Sequence, residues 1–398
     1  MSPNAAPQAQ PNKPRVLPAI VLAQLGGTSS WFAVNAVMPD LQAAFGWDAA
    51  AVGTLTAALQ GGFIAGTLVF ALLAVADRFP ARAVFLLCAL LASATTLLAA
   101  VVAQSVPALL ACRVATGFFL AGIYPVGMKI AAQWHPQGLG PALGWLLGAL
   151  VLGSASPHAL RALAAQGAGL PWQAVFVAVA AVTALAGWLL WARVPATPPV
   201  AGRGPGLRLR ALATLVTDRR VRASVFGYFG HMVELYTVWV LVPTILLTRL
   251  EGAVVSWAAF AVLGAGALGC VLGGQWAARV GSARVAATML AGSGLCCLLA
   301  PWALGAPGWL FAAWLLLWGV TVAGDSPQFS ALTAANAPRE AVGSVLTLTN
   351  SIGFAISAVS IELFVRLAQT VPLAQLLPWL ALGPALGLLA LRPLLRAA

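Results

Sequence analysis

Apolar residues run along this chain in twelve long blocks, parted by short polar breaks near 38–49, 76–82, 104–106, 133–137 and 164–171 in the first half and at similar intervals later. The blocks lie at about 16–37, 50–75, 83–103, 107–132, 138–163 and 172–192, then 222–247, 254–277, 284–302, 307–333, 341–366 and 373–392. A span of roughly 20 apolar residues crosses the hydrocarbon core as a helix, because only an internally hydrogen-bonded backbone is tolerated there. The pattern therefore predicts an all-α polytopic membrane protein with twelve transmembrane helices. A long polar stretch, VPATPPVAGRGPGLRLRALATLVTDRR, separates the sixth block from the seventh. It divides the chain into a six-helix bundle at 16–192, a cytoplasmic linker at 193–221 and a second six-helix bundle at 222–393. The Pro-rich segment 1–15 is expected to be a disordered cytoplasmic tail.

Composition sharpens the class. Only 8% of the residues are charged and 61% are hydrophobic, about a third of the roughly 25% charge of soluble domains. The net charge of +12 raises the question of a nucleic-acid partner. The basic residues are instead scattered through short loops, as topology requires. With the N-terminus inside, sixteen fall on the cytoplasmic side, against Arg161, Arg249 and Arg366 at outer ends. Both termini are thus expected in the cytoplasm, with a bacterial inner membrane as the setting. The five cysteines all sit in apolar blocks and read as small buried hydrophobes. No nucleotide loop, dinucleotide fingerprint or paired Cys/His metal pattern occurs, so no cofactor or metal is expected.

The two halves repeat. Gly26 is followed thirteen residues later by Pro39, and Gly230 thirteen later by Pro243. AGIYP (121–125) in the fourth span matches AGDSP (323–327) in the tenth. Parallel six-span repeats place a solute site near the midplane between halves.

On these residues the chain resembles the major facilitator superfamily. ADRFPAR (76–82) is similar to its G-x-x-x-D-R-x-G-R-R loop, with Asp77, Arg78 and Arg82 in place and with Leu73 and Pro80 where the motif has glycine. In the corresponding loop of the second half, Gly274, Arg279 and Gly281 remain, and Ala278 replaces the acid. RVATG (113–117) resembles the family's Arg-x-x-x-Gly motif. GWLLGALVLGSASP (144–157) resembles the proton-antiporter motif without its Gly-Pro pair. AGIYPVGMK, GHMVELYTVW and NSIGF are similar to the nitrate/cyanate-type porters, whose Gly-Asn-rich signature is absent. The resemblance implies a secondary transporter, not an enzyme, with a cavity lined by the first, fourth, seventh and tenth spans.

Ionisable groups within a span are costly and each calls for a role. The resemblance gives Arg113 a part in proton coupling or anion attraction; the alternative is a donor to backbone carbonyls. Tyr124 lies eleven residues on, close to the same helix face, whereas Lys129 points nearly opposite and can snorkel. His158 and Arg161 share a face near an outer end, as an interfacial anchor or an anion-attracting mouth. His231 and Glu234 share a face within the seventh span. Histidine titrates near neutrality and a carboxyl group can carry a proton, so the two are candidates for coupling or substrate contact, or else a helix-packing pair. Asp325 precedes Pro327, which frees a carbonyl that can serve as a ligand or bond to Gln328. Gln24, Thr28, Trp31 and Asn35 fall on one face of the first span and are expected, with Asn350, to line a cavity or a helix interface. Asp77, Arg78 and Arg82 are expected to form a gate, or only to set orientation. Glu362 and Arg366 read as a local ion pair.

The expected partners are a small solute, protons and the bilayer, with the chain acting as a monomer. Three functions compete: proton-driven transport of a small anion, efflux of amphipathic organic molecules, and a non-transporting receptor or intramembrane enzyme. The third lacks an output domain or a nucleophile–base constellation.

Overall fold

The structure, a computed structural model, describes residues 16–134, 139–166, 169–196, 207 and 210–396. The tail 1–15 and the linker positions 197–206 and 208–209 lie outside the described residues. Among the described residues, twelve helices are long and apolar enough to cross a bilayer. They are α1 (Val16–Phe45), α2 (Ala51–Leu72), α3 (Ala81–Val102), α4 (Val106–Trp134), α5 (Ala142–Gln166), α6 (Gln173–Arg193), α7 (Arg219–Leu247), α8 (Ala253–Val280), α9 (Ser282–Ala303), α10 (Gly308–Asn336), α11 (Val342–Leu367) and α12 (Leu373–Leu395). Short connections make successive helices antiparallel. One end of the molecule therefore carries the 73–80 loop and the join between halves; we call this the loop end and its opposite the far end.

The halves are built alike, and glycine decides where. In α1, Gly26 lets the helix close on α6: a Cβ there would sit 2.8 Å from that of Ala186. In α7, Gly230 performs the same service against α12, where a Cβ would meet the Gly383 carbonyl oxygen at 2.4 Å. The second pairing repeats too. A Cβ on Gly117 of α4 would lie 1.9 Å from the Leu59 oxygen of α2, and one on Gly319 of α10 would lie 2.0 Å from the Val262 oxygen of α8. Without a hydrophobic force between helices in lipid, such backbone approach is what packs them.

Four helices are interrupted; α12 passes through a 3-10 turn at Leu377–Ala381, and the other three breaks bear on the site. α4 breaks between Leu120 and Tyr124, and α10 breaks at Asp325, between segments ending at Gly324 and starting at Ser326. These are the AGIYP and AGDSP repeats. α1 passes through a 3-10 turn at Ser29–Phe32 and resumes at Met38–Phe45. The polar pattern ends this span near 37, but Pro39 is accommodated in the first turn of a new segment, where a missing N–H costs nothing. α7 starts three residues before its apolar block. Asp218 caps it, with Oδ1 accepting from the Arg220 and Val221 amides at 2.8 and 3.0 Å. Of the linker, the helix Ala211–Thr217 packs at the loop end, with Ala211 and Leu215 clustered against Val221, Val345 and Leu348.

Candidate functional site

A cavity of about 420 Å³ lies between the halves at the loop end. Its walls come from α2 (Thr67, Phe70), α4 (Tyr124, Val126, Met128, Lys129), α5 (Leu143), α10 (Ser330, Ala334) and α11 (Ser344, Leu346, Thr347, Asn350). Asp77 and Leu207 reach it from the loop end. Most of the wall is apolar, and the hydroxyl and amide groups on it are few. The Lys129 ammonium, donating to Asp77 Oδ1 and to the Ala76 carbonyl at 2.5 Å each, is already neutralised.

Deeper in, Tyr124 also borders a much smaller pocket with Tyr228, Met232, Tyr236, Trp239, Ala323, Ser326 and Phe354. Beyond it the path is filled by aromatic rings drawn from both halves. Trp31 stacks on Tyr236 at 5.7 Å, and Phe63 meets Phe354 at 4.7 Å. Phe32 meets Trp239 edge-on at 5.8 Å. Polar ties seal the halves beside this plug: Thr54 Oγ1 donates to Glu362 at 3.1 Å, and Gln60 Nε2 donates to Ser357 Oγ at 3.3 Å. Across the bundle, Trp257 Nε1 donates to Gln166 Oε1 at 2.9 Å. The path is closed toward the far end and hollow toward the loop end.

Four buried ionisable groups, Arg113, Glu234, His231 and Asp325, separate into three kinds. Arg113 is 2% exposed and serves the break in α1, donating to the Trp31 carbonyl at 2.6 Å, Ser30 at 3.2 Å and Leu55 at 3.5 Å. A 3-10 turn leaves carbonyls less regularly bonded than an α-helix does, and a guanidinium supplies several donors at once. Glu234 is caged inside the second half. Its Oε1 accepts from Trp318 Nε1 at 2.6 Å and Cys297 Sγ at 3.2 Å, and Oε2 accepts from Ser293 Oγ at 2.8 Å. His231 and Asp325 differ from both. Nδ1 and Oδ1 approach to 2.8 Å at 1% and 0% exposure, and the Asp325 and Ser326 amides lie beside the carboxylate; neither oxygen has a well-aligned hydrogen bond, and His231 Nε2 has no partner. The Tyr228 and Phe329 rings stand 5.7 and 6.0 Å from the imidazole. Among the described residues no group of three His, Cys, Asp or Glu is placed to hold a metal ion.

This architecture can be set beside known proteins. The sequence matches the Major Facilitator Superfamily over residues 20–361. The chain belongs to that superfamily. It is 30% identical to the chloramphenicol resistance protein of Streptomyces lividans over 256 residues, 64% of this chain and 63% of that one. The chain thus aligns with somewhat less than two thirds of that relative. Its fold is like that of the human organic anion transporter MFSD10, with a TM-score of 0.74, 18% identity and coverage of 96% and 100% of the two chains. It is also like that of the proton:xylose symporter XylE, with a TM-score of 0.75, 14% identity and coverage of 96% and 95%. A bacterial homologue of the human lysosomal transporter Spinster, in its inward-facing unoccupied form, gives 0.71 at 18% identity, with 98% of each chain covered. The chain is therefore a multi-pass membrane protein of a transporter family.

Within this superfamily fold, the residues singled out from sequence are dispersed. Tyr124, Lys129, Asp77 and Asn350 meet at the cavity. Gln24, Thr28, Trp31 and Asn35 do not form one cavity-facing stripe, because the 3-10 turn rotates the helix between them. Thr28 donates to Gln24 and Leu150 carbonyls, Asn35 donates to Thr56 Oγ1, Gln24 packs on Gly127, and Trp31 joins the plug. Arg161 forms a two-pronged pair with Asp40 at 2.5 and 2.6 Å rather than a free anion-attracting mouth. His158 is 2% exposed with Nε2 unpartnered, and Gln328 is buried beside Gly273, so neither lines the cavity. Of the loop residues, Asp77 binds Lys129, Arg82 reaches the Val194 carbonyl and lies over Trp191, and Arg78 is exposed. Glu362 does pair with Arg366. Sequence reasoning missed Phe63, Tyr236 and Phe354; aromatic residues in apolar blocks carry no sign of facing one another across two halves. It also missed Asp40, whose only signal was an acid seated at a helix restart.

Proposed function

We propose that this protein exports an amphipathic organic solute across the bacterial inner membrane by alternating access, driven by protons, with both termini in the cytoplasm. The observation that carries this reading is the cavity: about 420 Å³, largely apolar, roofed by aromatic rings and, among the described residues, bordered by one cation that Asp77 already occupies. A small inorganic anion needs convergent unpaired donors to replace its hydration. Arg113 and Arg161, expected to attract one, are engaged elsewhere. An organic molecule with a few polar groups suits walls of this kind. The likeness to a chloramphenicol resistance protein supports the same solute class.

If the loop end faces the cytoplasm, as the distribution of basic residues argues, the cavity opens inward. The Asp77–Lys129 pair then ties the 73–80 loop to α4 in this state, and its rupture releases the loop as the cavity closes. His231–Asp325 is the proton site in this account. It sits at the break in α10, flanked by Ala323 and Ser326 on the wall of the inner pocket. Adding a proton to the pair changes its charge and its hydrogen bonding, and with them the tie between α7 and α10, which lets the wall move.

The test is accumulation of chloramphenicol and of a panel of other amphipathic drugs in cells with and without the chain. Lower steady-state drug in expressing cells, restored by a protonophore, supports the reading. Equal accumulation across the whole panel contradicts it.

A further inference from the structure

At the loop end, α7 and α12 part to leave a second crevice of about 250 Å³, which shares no residue with the central cavity. Arg219, Arg222, Ala223 and Phe226 follow one another at spacings of three, one and three along α7, and face Ala390 and Pro393 on α12. Ala223 and Ala390 are small enough to leave the gap. The two guanidinium groups stand at its polar mouth. Phe226, 44% exposed, continues it toward the apolar middle of the span.

The charge at the mouth is uncompensated. Arg222 donates to the Val216 carbonyl at 2.9 Å, but no acid pairs with Arg219 or Arg222 among the described residues. The neighbouring acid, Asp218, is spent on capping α7. Arg220, Arg392 and Arg396 add positive charge at the same ends of these helices.

We infer that this crevice binds an anionic phospholipid, its phosphate held between Arg219 and Arg222 and an acyl chain lying over Phe226 in the seam of α7 and α12. A guanidinium matches phosphate oxygens with paired donors, and basic pockets between transmembrane helices hold anionic headgroups. Inorganic phosphate offers the same oxygens but nothing for the apolar end, so the lipid is the fitting occupant. The bound lipid clamps α7 to α12 beside the Gly230–Gly383 contact and stiffens the half that carries His231.

The experiment is thermal unfolding of the purified full chain in a neutral detergent, titrated with phosphatidylglycerol, phosphatidylcholine or inorganic phosphate. Phosphatidylglycerol raises Tm saturably, and the other two leave it unchanged. The double variant Arg219→Gln/Arg222→Gln weakens the phosphatidylglycerol response roughly tenfold or more. Ala390→Leu weakens it as well, by filling the apolar part while both arginines remain. An equal rise with phosphatidylcholine, an equal rise with inorganic phosphate, or a phosphatidylglycerol response that survives both variants overturns the assignment. The readout requires no transport, so its failure is separate from failure of the export reading.

Discussion

The two halves share a backbone plan and use the charges within their spans differently. In the first, Arg113 is spent on three carbonyls, Arg161 on Asp40 and Lys129 on Asp77. Each of these three charges has partners and fixes an interruption or a loop; the neighbouring His158 is buried with Nε2 unpartnered. In the second, Glu234 is caged by three donors, but His231 and Asp325 hold each other with atoms left over. The repeat makes the contrast specific. Residues 121–125 correspond to 323–327, an offset of 323 − 121 = 202, so the counterpart of Arg113 is Leu315. Beside that leucine α7 is a single helix through Pro243, whereas α1, beside Arg113, breaks at Ser29–Phe32. Satisfied charges belong to architecture. The unsatisfied pair is where a proton can change something.

What the halves have in common should fail in common, and with the largest effect. Gly117→Val and Gly319→Val each push a side chain against backbone oxygen that a Cβ alone would approach at 1.9 or 2.0 Å. Both are expected to abolish the folded protein, read as loss of a monodisperse peak on size-exclusion chromatography. If only one does, the halves are not packed alike. Next comes the arginine that distinguishes them. Arg113→Leu removes the donors that the Ser30 and Trp31 carbonyls receive from α4 and is expected to cost about 3 kcal/mol or more. A thermal midpoint unchanged by that variant would remove its architectural role.

Smaller effects test the charges of the second half and the loop. Glu234→Gln retains one acceptor and sets an amide donor against the donors of its cage, an expected cost of about 1–3 kcal/mol. Drug export should survive it; lost export with unchanged stability would transfer the proton site to Glu234. Lys129→Gln removes a pair that is a quarter to two-fifths exposed, 26% and 39% at the two side chains, so stability should change by about 0.5 kcal/mol or less. The expected effect is instead a changed labelling rate of a cysteine placed by Asn350→Cys in the cavity, as the loop is freed. An unchanged rate would reduce Asp77 to a topological role.

The sequence makes the scaffold legible because membrane helices announce themselves by length and composition, and the repeated glycines and prolines mark where the halves correspond. AGIYP and AGDSP even locate two helix breaks. The site is less legible. A stripe drawn through Gln24, Thr28, Trp31 and Asn35 assumes an unbroken helix, and the 3-10 turn that defeats it is held by Arg113 from another helix. Whether a buried charge is free or spoken for depends on partners far along the chain: Asp40 for Arg161, Ser293 and Trp318 for Glu234. Spacing within one helix carries no record of them.

The central claim, that an incompletely bonded His231–Asp325 pair couples proton movement to solute movement, is tested most directly by flux in proteoliposomes. An exported drug is given to wild type and to Asp325→Asn, with and without an imposed pH gradient. We expect the gradient to drive uphill drug movement in wild type and not in the variant, while drug-for-drug exchange persists in both. Uphill movement by Asp325→Asn at the wild-type rate would contradict the account.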